Sequence, residues 1–465
     1  MSAAVAKPIE WVAPEQVREL SRSLGESAQL MSRRLGAYER FLSLPIEPDP
    51  LYRGYGYFTN VDLSGLDAVG RGSATRLPPL RPRSVQVVHD AVGTHLVVSD
   101  DLPSGHVAIH PLYEEKRAPL RAAAEPMASE EEEPADRLSA LSDALRNRGY
   151  VLEVAEGTKG PVHVQDLTVL TRPREALSVR RVVRAGANTQ LLVTEEVYSA
   201  HGPAVGQRFY GSSTELQLGD HAKAVYLTLH APDLEAVSVY QRSATTGPGS
   251  RLAWLWAGLG GFRSKARNRT RLVGNGSSVE DLQLFYGSGD QSYDSAVHLT
   301  HVGTDTHGQS ITRGVFTDRA RGMSRGLVRI EHPAVKTLSF ISEHAMLLSR
   351  GARSDTIPIL EILCRDVKAT HSTSVHPIDP EQVFYLTSRG ISEPDAVRMI
   401  GEGFLSYVLD RAPVPALREV IFPAMEARWN REELAWASDG SRALPELQVT
   451  GTESSPEWRF DAKLR

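Results

Sequence analysis

The residues in this chain most able to do chemistry are histidines at two addresses. The stretch DVKATHSTSVHPIDPEQVFYLTSRGIS, residues 366–392, alternates like a strand as far as Val375 and carries helix signals from Asp379. His371 stands just before that switch. A neutral imidazole there could ligate iron or zinc. One histidine supplies one ligand, however, so a metal at this address needs donors from another chain. In HLTHVGTDTH, residues 298–307, His298 and His301 are three apart and point to opposite faces of a strand, so they cannot share one metal unless the backbone bends. Cys364, in ILEILC, shares a face with Leu360 and Ile362. In such company it is expected to be a small buried side chain with a raised pKa. No HExxH and no GxSxG elbow is present, and the glycines of WAGLGGF lack the GK[ST] end of a phosphate loop. No nucleotide is expected on this chain.

The elements that must position these residues are legible in part. Residues 14–43 show apolar spacing of helical period, interrupted at Gly25 and Gly36, which predicts two or three short helices. Residues 84–112 read as short strands. The segment 113–136, rich in glutamate, alanine and proline, reads as a disordered linker. A helix follows with Leu138, Leu141 and Leu145 on one face, and Gly149 is expected to close it. From about 150 to 375, short alternating runs such as VHVQDLTVL, KAVYLTLHA and GLVRIEHPAV follow one another without an amphipathic helix between them. Doubly wound sheets need such helices. A sandwich, a propeller or a strand solenoid remains, and a parallel β-helix suits a run this long because each coil needs only its neighbours for burial. Further on, Asp379 as N-cap, Pro380 at N1 and Gln382 at N3 open a helix that Gly390 stops. Ser392 opens a second with Asp395 at N3. Val397, Ile400, Phe404 and Val408 give it an apolar face, to be buried on the solenoid end or against another protein.

With 465 residues the chain exceeds the roughly 250 to 300 at which single compact cores stop growing. Hydrophobic content of 41% and charged content of 23% are those of an ordinary soluble protein. A net charge of −5 without a basic block argues against nucleic acid and anionic lipid as partners. A single cysteine makes no internal disulfide, and MSAAVAKPIEW has no apolar signal core, so a cytoplasmic location is expected. The apolar stretch LAWLWAGLGGF, at 252–262, falls short of the ~20 residues of a membrane span and is expected to form a buried wall.

The segment PILEILCRDVKATHSTSVHPIDPEQVFYLTSRGISEPDAVRMIGEGF resembles the C-terminal signature of the SufB/SufD family of iron-sulfur cluster assembly scaffolds: P-x-L-E-I, D-V, a histidine, FYL-x-SRGI and a helix ending in GF. The upstream THVGTDTHGQSITRGVFTDRARGMSRGLVRIEHPA is similar to the family's preceding coils. The resemblance is dense from about 270 to 410, thinner from 138 to 270 and weak before that. It implies a mainly β protein: a right-handed parallel β-helix over 150–375, an N-terminal helical and mixed region over 1–149, and a C-terminal helical region with a tail over 376–465. SufB members carry a cysteine one coil before the P-x-L-E-I strand, and matching that strand puts Ala345 there. They also tend to place glutamate after the signature histidine, where this chain has Ser372. Both departures point to SufD.

What the resemblance implies is a non-enzymatic SufD-like subunit that pairs edge to edge with SufB and docks the SufC ATPase. His371 carries over as the residue that helps hold a transient iron-sulfur cluster at the SufB interface, with Cys364 and His298 as weaker candidates. Phe384, Tyr385, Arg389, Ile400 and Phe404, on the C-terminal helices, carry over as the SufC-docking face. Two rivals stand beside this reading. One is a SufB-like homodimeric scaffold that uses Cys364, and the other is a β-helix enzyme acting on polysaccharide, although such enzymes line a groove with acidic residues where this chain offers histidine, arginine and threonine.

Overall fold

The computed structural model describes residues 13–45, 47, 61–70, 72–102, 105–113, 136–200, 206–412 and 417–436. The linker expected at 113–136 and the tail beyond about 430 lie almost wholly outside them. Among the described residues the dominant feature is a parallel β-helix of about eight turns, flanked by helices near both ends of the chain.

Each coil gives one strand to each of two facing sheets. One sheet takes β5 (Pro161–Leu170), β7 (Gln190–Ala200), β9 (Lys223–Ala231), β11 (Arg251–Gly258), β13 (Ser278–Gly287), β15 (His307–Phe316), β17 (Thr337–Leu347) and β19 (Val367–Pro377). The other takes β6 (Ala176–Ala185), β8 (Arg208–Leu218), β10 (Ala236–Thr246), β12 (Arg263–Leu272), β14 (Ser292–His301), β16 (Arg321–Ile330) and β18 (Arg353–Ile362). Strand pairing within both runs is parallel, so each residue stacks on its counterpart one coil away and a lumen-facing position stays lumen-facing along the rod.

The period-2 alternation explains why these runs form strands with one set of side chains inside. Tyr210, Tyr240, Trp256, Phe285 and Tyr293 make a continuous aromatic stack in the lumen, with successive ring centroids 4.9–5.6 Å apart. Trp254 and Trp256 are the buried wall expected of LAWLWAGLGGF. The lumen also encloses charge. Arg181 meets Asp166 at 2.5 Å and Glu195 at 3.2 Å, and all three side chains are fully buried. Burial opposes ionisation of Asp166, but Arg181 outweighs it and holds the carboxyl well below the usual range. At one corner the coils touch backbone to backbone: a Cβ on Gly274 would lie 2.0 Å from the Gly247 carbonyl carbon, so only glycine fits there.

The two ends of the rod differ. At the N-terminal end β1 (Ser84–His89) continues the first sheet parallel to β5, and β2 (Thr94–Val98) closes it antiparallel. β3 (Val107–Pro111) closes the second sheet antiparallel to β4 (Arg148–Val154). At the other end β18 and β19 each pair with one described neighbour only, so the last strand of each sheet is an open edge.

Helices α1 (Pro14–Ser23), α2 (Ala28–Ser43) and α3 (Arg137–Ala144) pack through Val17, Phe41, Leu138 and Leu141 onto Phe209, Val237 and Val239. Gly25 does break the first helical stretch, with φ +61°, but Gly36 sits inside α2, where neighbouring helix formers tolerate it. Gly149 does not close α3. That helix ends at Leu145, and Gly149 lies in β4, where a Cβ would meet the Arg180 carbonyl at 2.2 Å. A buried ion cluster ties this region to the rod: Lys265 reaches Asp136 at 3.0 Å, Arg267 and Arg325 reach Asp294 at 3.1 and 2.8 Å, and Glu47 lies within 3.6 Å of all three cations.

α4 (Pro380–Thr387), α5 (Glu393–Leu409) and α6 (Leu417–Trp429) follow the last strand. Asp379 and Ser392 both act as N-caps, as the spacing predicts, Ser392 accepting from the N3 N–H of Asp395; Asp379 instead accepts from the Glu381 N–H one residue earlier, so the expected capping box with Gln382 does not form. Leu405, Val408, Val420 and Ile421 bury themselves on the outer face of the first sheet, against Leu255, Leu282, Ile311 and Met346.

Candidate functional site

The open end of the rod is built by β17, β18 and β19. In register His371 lies over Ile341 and Ala369 over Ser339. Ile341 belongs to the lumen core, and Val367 and Ala369 pack on that core, so alternation puts His371 in the same lumen-facing column. Among the described residues no strand stacks beyond β19. His371 is therefore solvent-exposed, reached through the mouth of the rod rather than from its side.

Around the mouth, residues that an inner coil would bury are open. Ile362, Leu363 and Val375 are 43%, 41% and 39% exposed. The free edges of β18 and β19 present backbone donors and acceptors beside these apolar groups, which is the pattern of a surface that accepts another strand.

Cys364 lies at the same end, in the turn between β18 and β19, and packs against the lumen core, as Leu360, Val367 and Ala369 do. It is half-buried rather than buried as expected, because the turn belongs to the last coil and no described strand stacks on it. His298 is on the outer face of β14, away from the mouth. His301 faces the lumen, fully buried between Thr306 at 2.8 Å and Ser339 at 3.1 Å, and burial pushes its pKa down to about 3. The two histidines do point to opposite faces. Among the described residues no group of three or more histidine, cysteine or acidic side chains is placed to hold a metal ion.

Two polar residues near the mouth carry no signal in the sequence that by itself marks them. His344, on the outer face of β17, hydrogen-bonds Ser374 at 2.5 Å and Ser372 at 3.4 Å and so ties the last strand to its neighbour. Burial, then Arg313, then His376 lower its pKa to about 4, which keeps it neutral. Glu343 points into the lumen beneath Thr373 and is 2% exposed. The available signal was an acidic residue on the inward phase of FISEHAM, but the phase is known only once the coil is placed.

Beside the mouth, α4 buries none of its side chains. Phe384 and Tyr385 are 73% and 56% exposed, and Arg389 stacks over Tyr385 with its guanidinium 4.6 Å from the ring centroid. Ile400 and Phe404 instead pack on the core between helix and sheet, and the His376 ring meets Phe404 edge-on at 6.0 Å. The structure thus divides the five candidates into three in solvent, of which Arg389 lies in the turn after α4, and two turned inward.

A family profile described as "SUF system FeS cluster assembly, SufBD core domain" matches residues 168–404. The chain is 28% identical over 294 residues to the iron-sulfur cluster assembly protein SufD of Bacillus subtilis, covering 63% of this chain and 67% of that protein. It is 29% identical over 170 residues to the protein of the same name in Escherichia coli, covering 37% of this chain and 40% of that one. A SufBD family protein of Mycobacterium bovis is 30% identical over 227 residues, 47% of this chain and 57% of the relative. The profile spans half of the chain, including all three strands that build the mouth, and the chain belongs to the SufBD family of iron-sulfur cluster assembly proteins, with its likeness running to members named SufD.

Proposed function

We propose that this chain is the SufD-like scaffold subunit of a SUF assembly machine, that its open end pairs with SufB, and that His371 supplies one ligand to a transient iron-sulfur cluster at that junction. The observation that carries this reading is the exposure of a lumen-column imidazole at an uncapped mouth, where two free strand edges and three apolar residues await cover. Iron-sulfur clusters are held mainly by thiolates. The one cysteine here leaves the rest of the donor set to the partner. The cluster is cargo in this reading, and the chain turns over no substrate of its own.

The C-terminal helices are the proposed seat of the SufC ATPase. Phe384, Tyr385 and Arg389 offer an exposed aromatic and cationic surface of the kind that dominates protein interfaces. α4 follows β19 directly, so a pull on the helices reaches the strand that bears His371. The test is iron and sulfide analysis of the complex purified after co-expression. His371→Ala is expected to leave complex formation intact and to lower cluster content severalfold. Normal loading in that variant overturns the role given to His371, and a stable homodimer that takes up sulfur alone overturns the pairing with SufB.

A further inference from the structure

The least explained polar group near the mouth is the Glu343 carboxyl. Its Oε2 is buried and has no hydrogen-bond partner among the described residues. Burying a carboxyl without a partner is unfavourable even when it stays protonated. An orphan of this kind in a native core calls for a reason.

The two residues directly opposite Glu343 carry no side-chain donor and little bulk. Opposite stands Gly326 of β16, where an added Cβ would come within 3.3 Å of Glu343 Oε1 and 2.7 Å of Ile341. The next residue in that column is Pro358 of β18, which has no N–H to give. The carboxyl therefore extends into space kept clear by a glycine, one rung below the mouth.

Register sets its relation to His371. Thr373 covers Glu343 and His371 covers Ile341, so Glu343 and His371 share the lumen face as a diagonal pair, one rung and one same-face step apart. Strand spacing of about 4.8 Å and two residue rises of about 3.3 Å put their Cα atoms about 8 Å apart. Imidazole and carboxylate side chains can meet from that separation on one ion, at about 2.1 Å from each.

We propose that Glu343 is a second protein ligand at the mouth, an oxygen donor that takes the underside of the same iron ion whose upper side is held by His371. The inference rests on the reading of His371 above and deepens it. Imidazole with carboxylate suits ferrous iron and its divalent mimics. Burial alone pushes the Glu343 pKa up to about 8, so the carboxyl stays neutral in the metal-free chain, and metal binding releases that proton to solvent. A chain arranged in this way offers a partner an ion held from below and open above.

The experiment is an anaerobic titration of the full chain with Co(II), read by its visible absorption and repeated with Fe(II) in competition, for the wild type, Glu343→Gln, Glu343→Asp and His371→Ala. Glutamine matches the shape and neutrality of the protonated acid, so thermal unfolding should show a fold as stable as the wild type or more so. Glu343→Gln is expected to weaken Co(II) at least about tenfold and alter its absorption bands, at least the loss typical of an outer-shell partner. Glu343→Asp, which keeps the carboxylate, is expected to fall between. If Glu343→Gln binds as the wild type does while His371→Ala does not, the inference fails and the role of His371 stands. If His371→Ala also binds normally, or the wild type takes up no Co(II), the inference fails, and the role of His371 is decided separately by cluster loading of the co-expressed complex.

Discussion

His371 lies directly over Ile341 in the stacked sheet, yet Ile341 is 1% exposed and His371 is open to solvent. One rung separates a core position from a reactive one, because the rod stops there.

A charge placed at the mouth should weaken pairing without harming the fold. Val375→Glu and Ile362→Lys alter side chains that are already 39% and 43% exposed, so thermal unfolding of the isolated chain should shift by less than about 1 kcal/mol equivalent. Affinity for the co-expressed partner should fall at least tenfold, measured by titration calorimetry. Unchanged affinity would move the interface elsewhere.

The helices should separate docking from stability. Phe384→Ala and Tyr385→Ala remove exposed rings and should abolish retention of the ATPase partner in a pull-down while leaving the unfolding midpoint unchanged. Phe404→Ala, which empties a place on the core, should cost about 2–4 kcal/mol. The reverse pattern would assign α4 a structural role.

Removal of Asp294 should cost about 3–5 kcal/mol, since Arg267 and Arg325 would be left buried without their principal anion. Urea unfolding of Asp294→Ala measures this. Replacement of the whole cluster with apolar residues of matched size should be far milder.

Asp281 carries a pH dependence whose sign can be worked out. Burial raises its pKa to about 7, against hydrogen bonds from Gln283 and Asn268 and the charge of Arg242, which act to lower it. The folded chain thus holds a proton that the unfolded chain releases near pH 4. The stabilisation is complete below that value and is lost as pH rises from about 4 to about 7. Asp281→Asn should gain stability relative to the wild type across that window and show a constant difference above it, as urea midpoints at pH 4.5, 6 and 8 will reveal. His230 and His301, pushed to about 3 by burial, act in the opposite direction and are common to both proteins.

The strand runs, the helix caps at Asp379 and Ser392, and the break at Gly25 were legible in the sequence, because alternation, capping and left-handed glycine conformations are decided within a few residues. Gly36 and Gly149 were misread for the complementary reason: helix continuation and strand pairing depended on neighbours far along the chain. The exposure of Cys364 was misjudged in the same way, since an apolar run does not reveal that its coil is the last.

The sequence by itself determined that this is a long chain of short strands ending in a capped helix pair, with a histidine at the junction. Only the tertiary structure decided which face of each strand looks into the lumen, that the N-terminal end of the rod is closed by antiparallel strands while the other is open, and that Glu343 lies unpaired beneath the mouth. Alternation has two equivalent phases on paper, and the choice between them is made by stacking against coils some thirty residues away.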